Sequence, residues 1–236
     1  MDGFNKHKIL QIILICDGML VALFLLTNYL APIPSWTITH WFDMDSEKNI
    51  PTWFSTVQLF FIASLCATYW RGLEERHLRR FYLLAALAFA FLSMDEAAQL
   101  HEGIARLARK VGAMYADPTP GLELWMVIYP AVAIAGAALF WREVAAFLRD
   151  KRGNAILFGG VIIYLGGVIG FEALAVMFIP TGTHNWLSGT EVALEEGSEL
   201  LGQSLMVYAM LNKLKPTRVA ERAEQALGLG VTRPQT

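Results

Sequence analysis

Nine carboxylates stand in stretches of this chain that are otherwise apolar: Asp17, Asp95, Glu96, Glu102, Glu172, Glu191, Glu195, Glu196 and Glu199. At the centre of a hydrocarbon layer each would cost at least ~2.5–3.5 kcal/mol, even on lenient insertion scales. No lysine or arginine is placed to neutralise them except Arg106, one helical turn beyond Glu102. Acids gathered in this way either carry protons or are held ionised by a bound cation. His101, beside Glu102 and six residues beyond Asp95, adds an imidazole to the set. Carboxylates plus one histidine suit iron or manganese, whereas oxygen ligands alone suit calcium, magnesium or manganese. Zinc is a further candidate. The expected metal ligands are Asp95, Glu96, His101, Glu102, Glu172, Glu191, Glu195, Glu196 and Glu199.

Spacing places eight of the nine acids together. At about 100° per residue, Asp95, Gln99 and Glu102 form one helical stripe, flanked by Glu96 and His101. Glu191, Glu195 and Glu199 form a second stripe at i, i+4 and i+8, with Glu196 beside it. Like charges at that spacing repel in a bare helix, and a bound metal turns the repulsion into coordination. If the two stripes run antiparallel across a bilayer, Asp95 shares the level of Glu199, and His101 and Glu102 share that of Glu191. Glu172, on a third helix, falls level with Gln99 and Glu195. Asp17 falls below this slab and reads as separate.

In its site chemistry the pattern resembles the carboxylate-bridged di-iron helix bundles, which take a Glu from each of two helices and a Glu-x-x-His from two others. The chain departs from them in having no Glu-x-x-His and a single histidine at the right depth. The resemblance covers two helices and is confined to chemistry.

The elements that must position these groups follow from composition. Of 236 residues, 55% are hydrophobic and only 17% charged. Soluble domains carry roughly 45–50% and about 25%. A net charge of −2 leaves no basic excess for tracking a phosphate backbone, so a nucleic-acid binder is excluded. Cys16 and Cys66 both lie in apolar runs, which argues against a disulfide scaffold or a CxxC site. A span needs about 20 apolar residues, and six runs qualify: about 9–31, 51–70, 81–105, 122–141, 154–179 and 187–212. The expected fold is an all-α membrane protein, a six-transmembrane-helix bundle over 1–215, with 216–236 a mobile cytoplasmic tail.

Fifteen of the 19 lysines and arginines fall on the side that holds both termini and the 71–80 and 142–153 loops. Positive residues collect on the cytoplasmic side, so both termini are expected there, in the plasma (inner) membrane. Trp36, Trp41, Trp53, Trp125 and Trp186 fall at outer span ends, and Trp70 and Trp141 at inner ends, as interfacial aromatics should. The outer segment 32–50 reads as a solvated polar loop whose Asp43, Asp45 and Glu47 could attract cations. Gly166 and Gly170 read as a GxxxG packing face on span five, with Gly159, Gly160 and Gly167 nearby. Tyr129 and Tyr164 read as packing residues able to lend a phenol to the site.

Three functions fit these features. The first is a metal-dependent membrane oxidoreductase or hydrolase with a dinuclear site, acting on a small apolar or lipidic substrate that enters from the membrane lipid or the outer face. The second is a cation- or proton-coupled transporter built from inverted halves, 1–110 and 111–236. The third is a non-catalytic subunit of a membrane complex, which explains the spans but not the clustering.

Overall fold

The long apolar runs begin where a polar side chain can satisfy the first N–H groups of a helix. Asn5 accepts from the N–H groups of His7 and Lys8 and opens α1 (Lys6–Leu25). A short α2 (Trp36–Trp41) precedes Asn49, which accepts from Thr52 N–H at 2.9 Å and caps α3 (Ile50–Arg71), with Pro51 in its first turn. Glu75 caps α4 (Arg76–Ala98). There follow α5 (Leu100–Tyr115), α6 (Leu124–Leu139), α7 (Trp141–Arg149), α8 (Lys151–Leu165) and α9 (Glu172–Phe178). Asn185 and Ser188 form a reciprocal capping box that opens α10 (Trp186–Lys213). The computed structural model describes residues 5–30, 35–115, 124–179 and 185–214, and among them all regular structure is helical. The expected 216–236 tail lies outside the described residues.

Four helical stretches are long and apolar enough to cross a membrane: Lys6–Leu30, Ile50–Arg71, Arg76–Ala98 and Gly153–Phe178. A fifth is counted if α6 and α7, bent by 82° at their junction, form one span. Large apolar side chains such as Ile15, Phe60, Leu87, Ile134 and Phe178 point outward, as a lipid-facing surface requires. The sixth expected span, α10, is the longest helix described, with 28 residues, but its first half carries four glutamates.

That helix is the centre of the bundle, packing against α1, α3, α8 and the wide turn after α8. Leu59, Ile62 and Cys66 of α3 meet Tyr82 of α4 and Met206, Val207 and Met210 of α10 in one core. The glycine contact differs from the expected GxxxG face. Side chains added at Gly166 and Gly170 would meet nothing within 4 Å. A Cβ at Gly160 would instead lie 2.8 Å from the Gly202 carbonyl oxygen, and one at Gly167 would lie 2.9 Å from that of Glu195. The physical reason is helical phase: at about 100° per residue Gly160 and Gly167, seven apart, share one face, and Gly166 and Gly170 lie on another.

Two further expectations change. Span three is not a continuous helix over 81–105. Gln99 adopts φ 56°, ψ 44°, ends α4, and α5 begins at the next residue. The single Asp95–Gln99–Glu102 stripe needed an unbroken helix and does not form. Span four ends at Leu139, where the chain turns into the amphipathic α7. Phe147 of α7 stacks on Phe81 of α4 at 4.3 Å, and Glu143 lies 3.0 Å from His77 Nδ1 and 3.7 Å from Arg80.

Candidate functional site

The break at Gln99 shapes the site. A helix that starts afresh leaves its first N–H groups without partners. The Asp95 carboxylate answers this need from the last turn of α4: its Oδ1 accepts from the His101 N–H at 2.9 Å, and its Oδ2 lies 3.1 Å from His101 Nδ1. Tyr129 of α6 donates its phenol to the same Oδ1 at 3.0 Å. Trp125, one turn before Tyr129, packs in a T-shaped contact with the His101 ring, with centroids 5.5 Å apart. Asp95 is buried and His101 is four-fifths covered.

These groups form one wall of a cavity of about 550 Å³. Of the nine expected ligands, Asp95, Glu96, His101, Glu102, Glu172, Glu195, Glu196 and Glu199 line it. They arrive from four separate elements: α4, α5, the start of α9, and the first half of α10. Glu191 does not line the cavity; it stands one turn before Glu195, with its Oε1 buried and without a hydrogen-bond partner among the described residues. Asp17 is elsewhere, between α1, α3 and α10, where Gln58 Nε2 (3.0 Å) and Ser204 Oγ (2.6 Å) donate to its two oxygens.

The described part of the 32–50 segment, from Ser35 on, does more than a solvated loop would. Its Met44, Asp45, Ser46 and Glu47 close over the cavity, and Glu47 Oε2 is buried there without a hydrogen-bond partner. Burial is the main cause that raises the Glu47 carboxyl above its ordinary range; His101 opposes the rise and Glu102 adds to it. Asn49 holds the loop in place, bonding the Asp43 carbonyl at 2.5 Å and the Ser46 carbonyl. Its roles as α3 cap and loop clamp come from one side chain, which the sequence analysis missed; the Asn49-x-Pro51 spacing of a helix start is the signal that could have found it. Tyr129 and Tyr164 also line the cavity.

The balance of charge is strongly acidic. Nine carboxylates line the cavity, and Arg106 is the only lysine or arginine among the described lining residues; it pairs with Glu102. The acids stand around the wall rather than about one point: among the described residues, no group of three or more His, Cys, Asp or Glu is placed to hold a metal ion. Such a cavity favours cations by its field and offers His101 as an oriented imidazole for proton transfer or ligation.

Neither the curated proteins nor the solved structures include a match to this chain. One family profile does match, over residues 12–214, which takes in α1 from its seventh residue, every later helix through α10, and the whole cavity wall. The chain belongs to the family described as "Domain of unknown function (DUF8692)".

Proposed function

We propose that the chain is a six-span membrane protein with cytoplasmic termini, in the plasma (inner) membrane, whose acid-lined cavity opens outward and binds a divalent cation. In this reading it is a metal-dependent enzyme for a small apolar or lipidic substrate. One observation carries the proposal: nine carboxylates from five chain segments converge on one cavity with a single guanidinium beside them. Acids withdrawn from water stay ionised only beside a compensating positive charge, and otherwise take up protons. The 28 residues of α10 reach about 42 Å at about 1.5 Å each, enough for a sixth crossing. The positive-residue count supports the orientation.

Candidate ligands are Asp95, Glu96, His101, Glu102, Glu172, Glu195, Glu196 and Glu199 of the cavity wall, with Glu191 one turn outside it, a set that suits manganese or iron. When bound, the ion would supply Lewis acidity and a reactive water at neutral pH. The chain's own residues would orient the imidazole, exclude bulk water beneath the 43–47 loop, and move a proton at His101.

The test is elemental analysis of detergent-purified protein, with melting curves in the presence and absence of chelator. Stoichiometric manganese or iron, lost in Glu196→Gln and Glu199→Gln and kept in Glu74→Gln, supports the reading. Glu143→Gln is no control, since that carboxylate ties α7 to His77 and Arg80. Protein without metal, indifferent to chelator and to added ions, defeats it. Orientation is tested by single cysteines: position 45 should label from outside, and 76 and 150 should not.

A second reading, a proton- or cation-coupled transporter, is favoured by a separate observation. The helices are interrupted beside the acids, at Gln99 next to Asp95 and through Gly166–Phe171 next to Glu172. Broken helices at the binding level are characteristic of secondary transporters. Cation-driven uptake into proteoliposomes would decide for it.

A further inference from the structure

The Asp95 carboxylate is already occupied by its own protein. It offers about four lone-pair positions. Two donors, the His101 N–H at 2.9 Å and the Tyr129 O–H at 3.0 Å, use Oδ1, and the His101 ring at 3.1 Å uses Oδ2. Little capacity is left for a ligand. His101, in contrast, has only Nδ1 of its ring engaged among the described residues, and it lines the cavity between Asp95 and Trp125. The anchor is rigid on both sides. Backbone and ring of the same residue bind one carboxylate, and Trp125, Tyr129 and Phe91 pack in sequence behind it, with ring centroids 6.2 and 6.0 Å apart.

We propose that Asp95 is a positioning residue rather than a ligand: with Tyr129 it holds His101 with Nδ1 turned to the protein, so that Nε2 is the atom presented to whatever the cavity binds. Metal-ligating histidines are commonly oriented by a carboxylate on the other ring nitrogen, and the same pairing fixes the tautomer of a proton-transfer histidine. The inference therefore refines the ligand set given above by removing Asp95 from it. It rests on the cavity being the functional site, but not on the occupant being a metal.

The test has two arms on the full-length protein. In the first, the protein carries 15N-labelled histidine in detergent micelles, and the His101 signals are identified by their loss in His101→Gln. Spectra are taken at a pH where the ring is neutral. The wild type should show the hydrogen on Nδ1 and a bare Nε2. Asp95→Ala should lose that preference, while Tyr129→Phe should keep it. A wild type with the hydrogen on Nε2 overturns the proposal, even if no variant folds.

In the second arm Co2+ is the probe. His101→Gln should abolish its visible absorption bands. Asp95→Asn should keep the band positions and weaken binding by about 10–100-fold, as for other outer-shell partners. If Asp95→Asn abolishes binding as fully as His101→Gln does, Asp95 is a ligand and the proposal falls. If the wild type binds no Co2+, the metal reading fails, and the tautomer of His101 alone decides the role of Asp95.

Discussion

Ser204 donates its hydroxyl to Asp17 Oδ2 at 2.6 Å across 187 residues of chain, joining the first long helix of the bundle to the last. Gln58 Nε2 holds the other carboxylate oxygen at 3.0 Å, so α1, α3 and α10 are pinned at one buried point. Beside it, Gln203, the residue before Ser204, donates its Nε2 to Ser55 Oγ, one turn before Gln58 on α3, at 2.9 Å. Both contacts lie inside the bundle, where no water competes for them.

Replacing Asp17 with alanine should therefore destabilise the protein. The change strands the Gln58 amide and the Ser204 hydroxyl, a loss of about 1–3 kcal/mol for buried groups left without partners. Asp17→Asn, which can still accept one bond, should lose less. Equilibrium unfolding in mixed micelles measures the difference, and an Asp17→Ala variant as stable as the wild type would show that the junction is slack.

The glycine contacts separate two helix faces that look alike in the sequence. Gly202→Ala should destabilise by about 1–3 kcal/mol, as overpacking does, because its Cβ would lie 2.6 Å from the Tyr164 backbone nitrogen and 2.7 Å from the Gly160 carbonyl. Gly166→Ala meets only open space and should be neutral or mildly stabilising. Thermal melts of the two variants in the same detergent check this. Equal effects would mean that α8 and α10 do not approach through Gly160 and Gly202.

Gln99 adopts a left-handed conformation that usually costs a side-chain-bearing residue about 1–2 kcal/mol. Gln99→Gly should raise the melting temperature or leave it unchanged. Gln99→Val, stiff at χ1 and crowded at positive φ, should lower it and disturb the His101–Asp95 pair. A valine variant as stable as wild type would argue that α4 and α5 are one helix in solution.

Glu47 makes stability depend on pH in a definite direction. Its carboxyl is raised in the folded state, chiefly by burial, so folding favours its protonated form. The resulting penalty is absent below the ordinary carboxylate value and grows as pH rises through the raised folded value. In chelator-treated protein, Glu47→Gln should therefore melt higher than wild type at neutral pH, and the gap should close on acidification. A Glu47→Gln variant that melts lower than wild type at neutral pH would show that the ionised group is held by a favourable partner.

Much of this architecture was legible in one dimension. Apolar runs and capping residues are local properties, and a bilayer tolerates few backbone arrangements other than helices, so the helical stretches around Lys6–Leu30, Ile50–Arg71 and Gly153–Phe178 follow from composition. Helical spacing also placed Glu195, Glu196 and Glu199 together, since residues three and four apart share a face in any intact helix. Local pattern stops at the breaks. No feature of Gln99 marks it as left-handed; that conformation persists because Asp95, His101 and Tyr129 lock the chain on either side of it. Packing likewise decided which face meets α10: Gly160 and Gly167 approach it, and Gly166 and Gly170 do not. The descent of Asp45 and Glu47 onto the cavity depends on the Asn49 clamp, and the partners of Asp17 lie 41 and 187 residues away. Such pairings are set by which helices pack side by side. That choice is made by the summed contacts of whole surfaces, which no window of sequence contains.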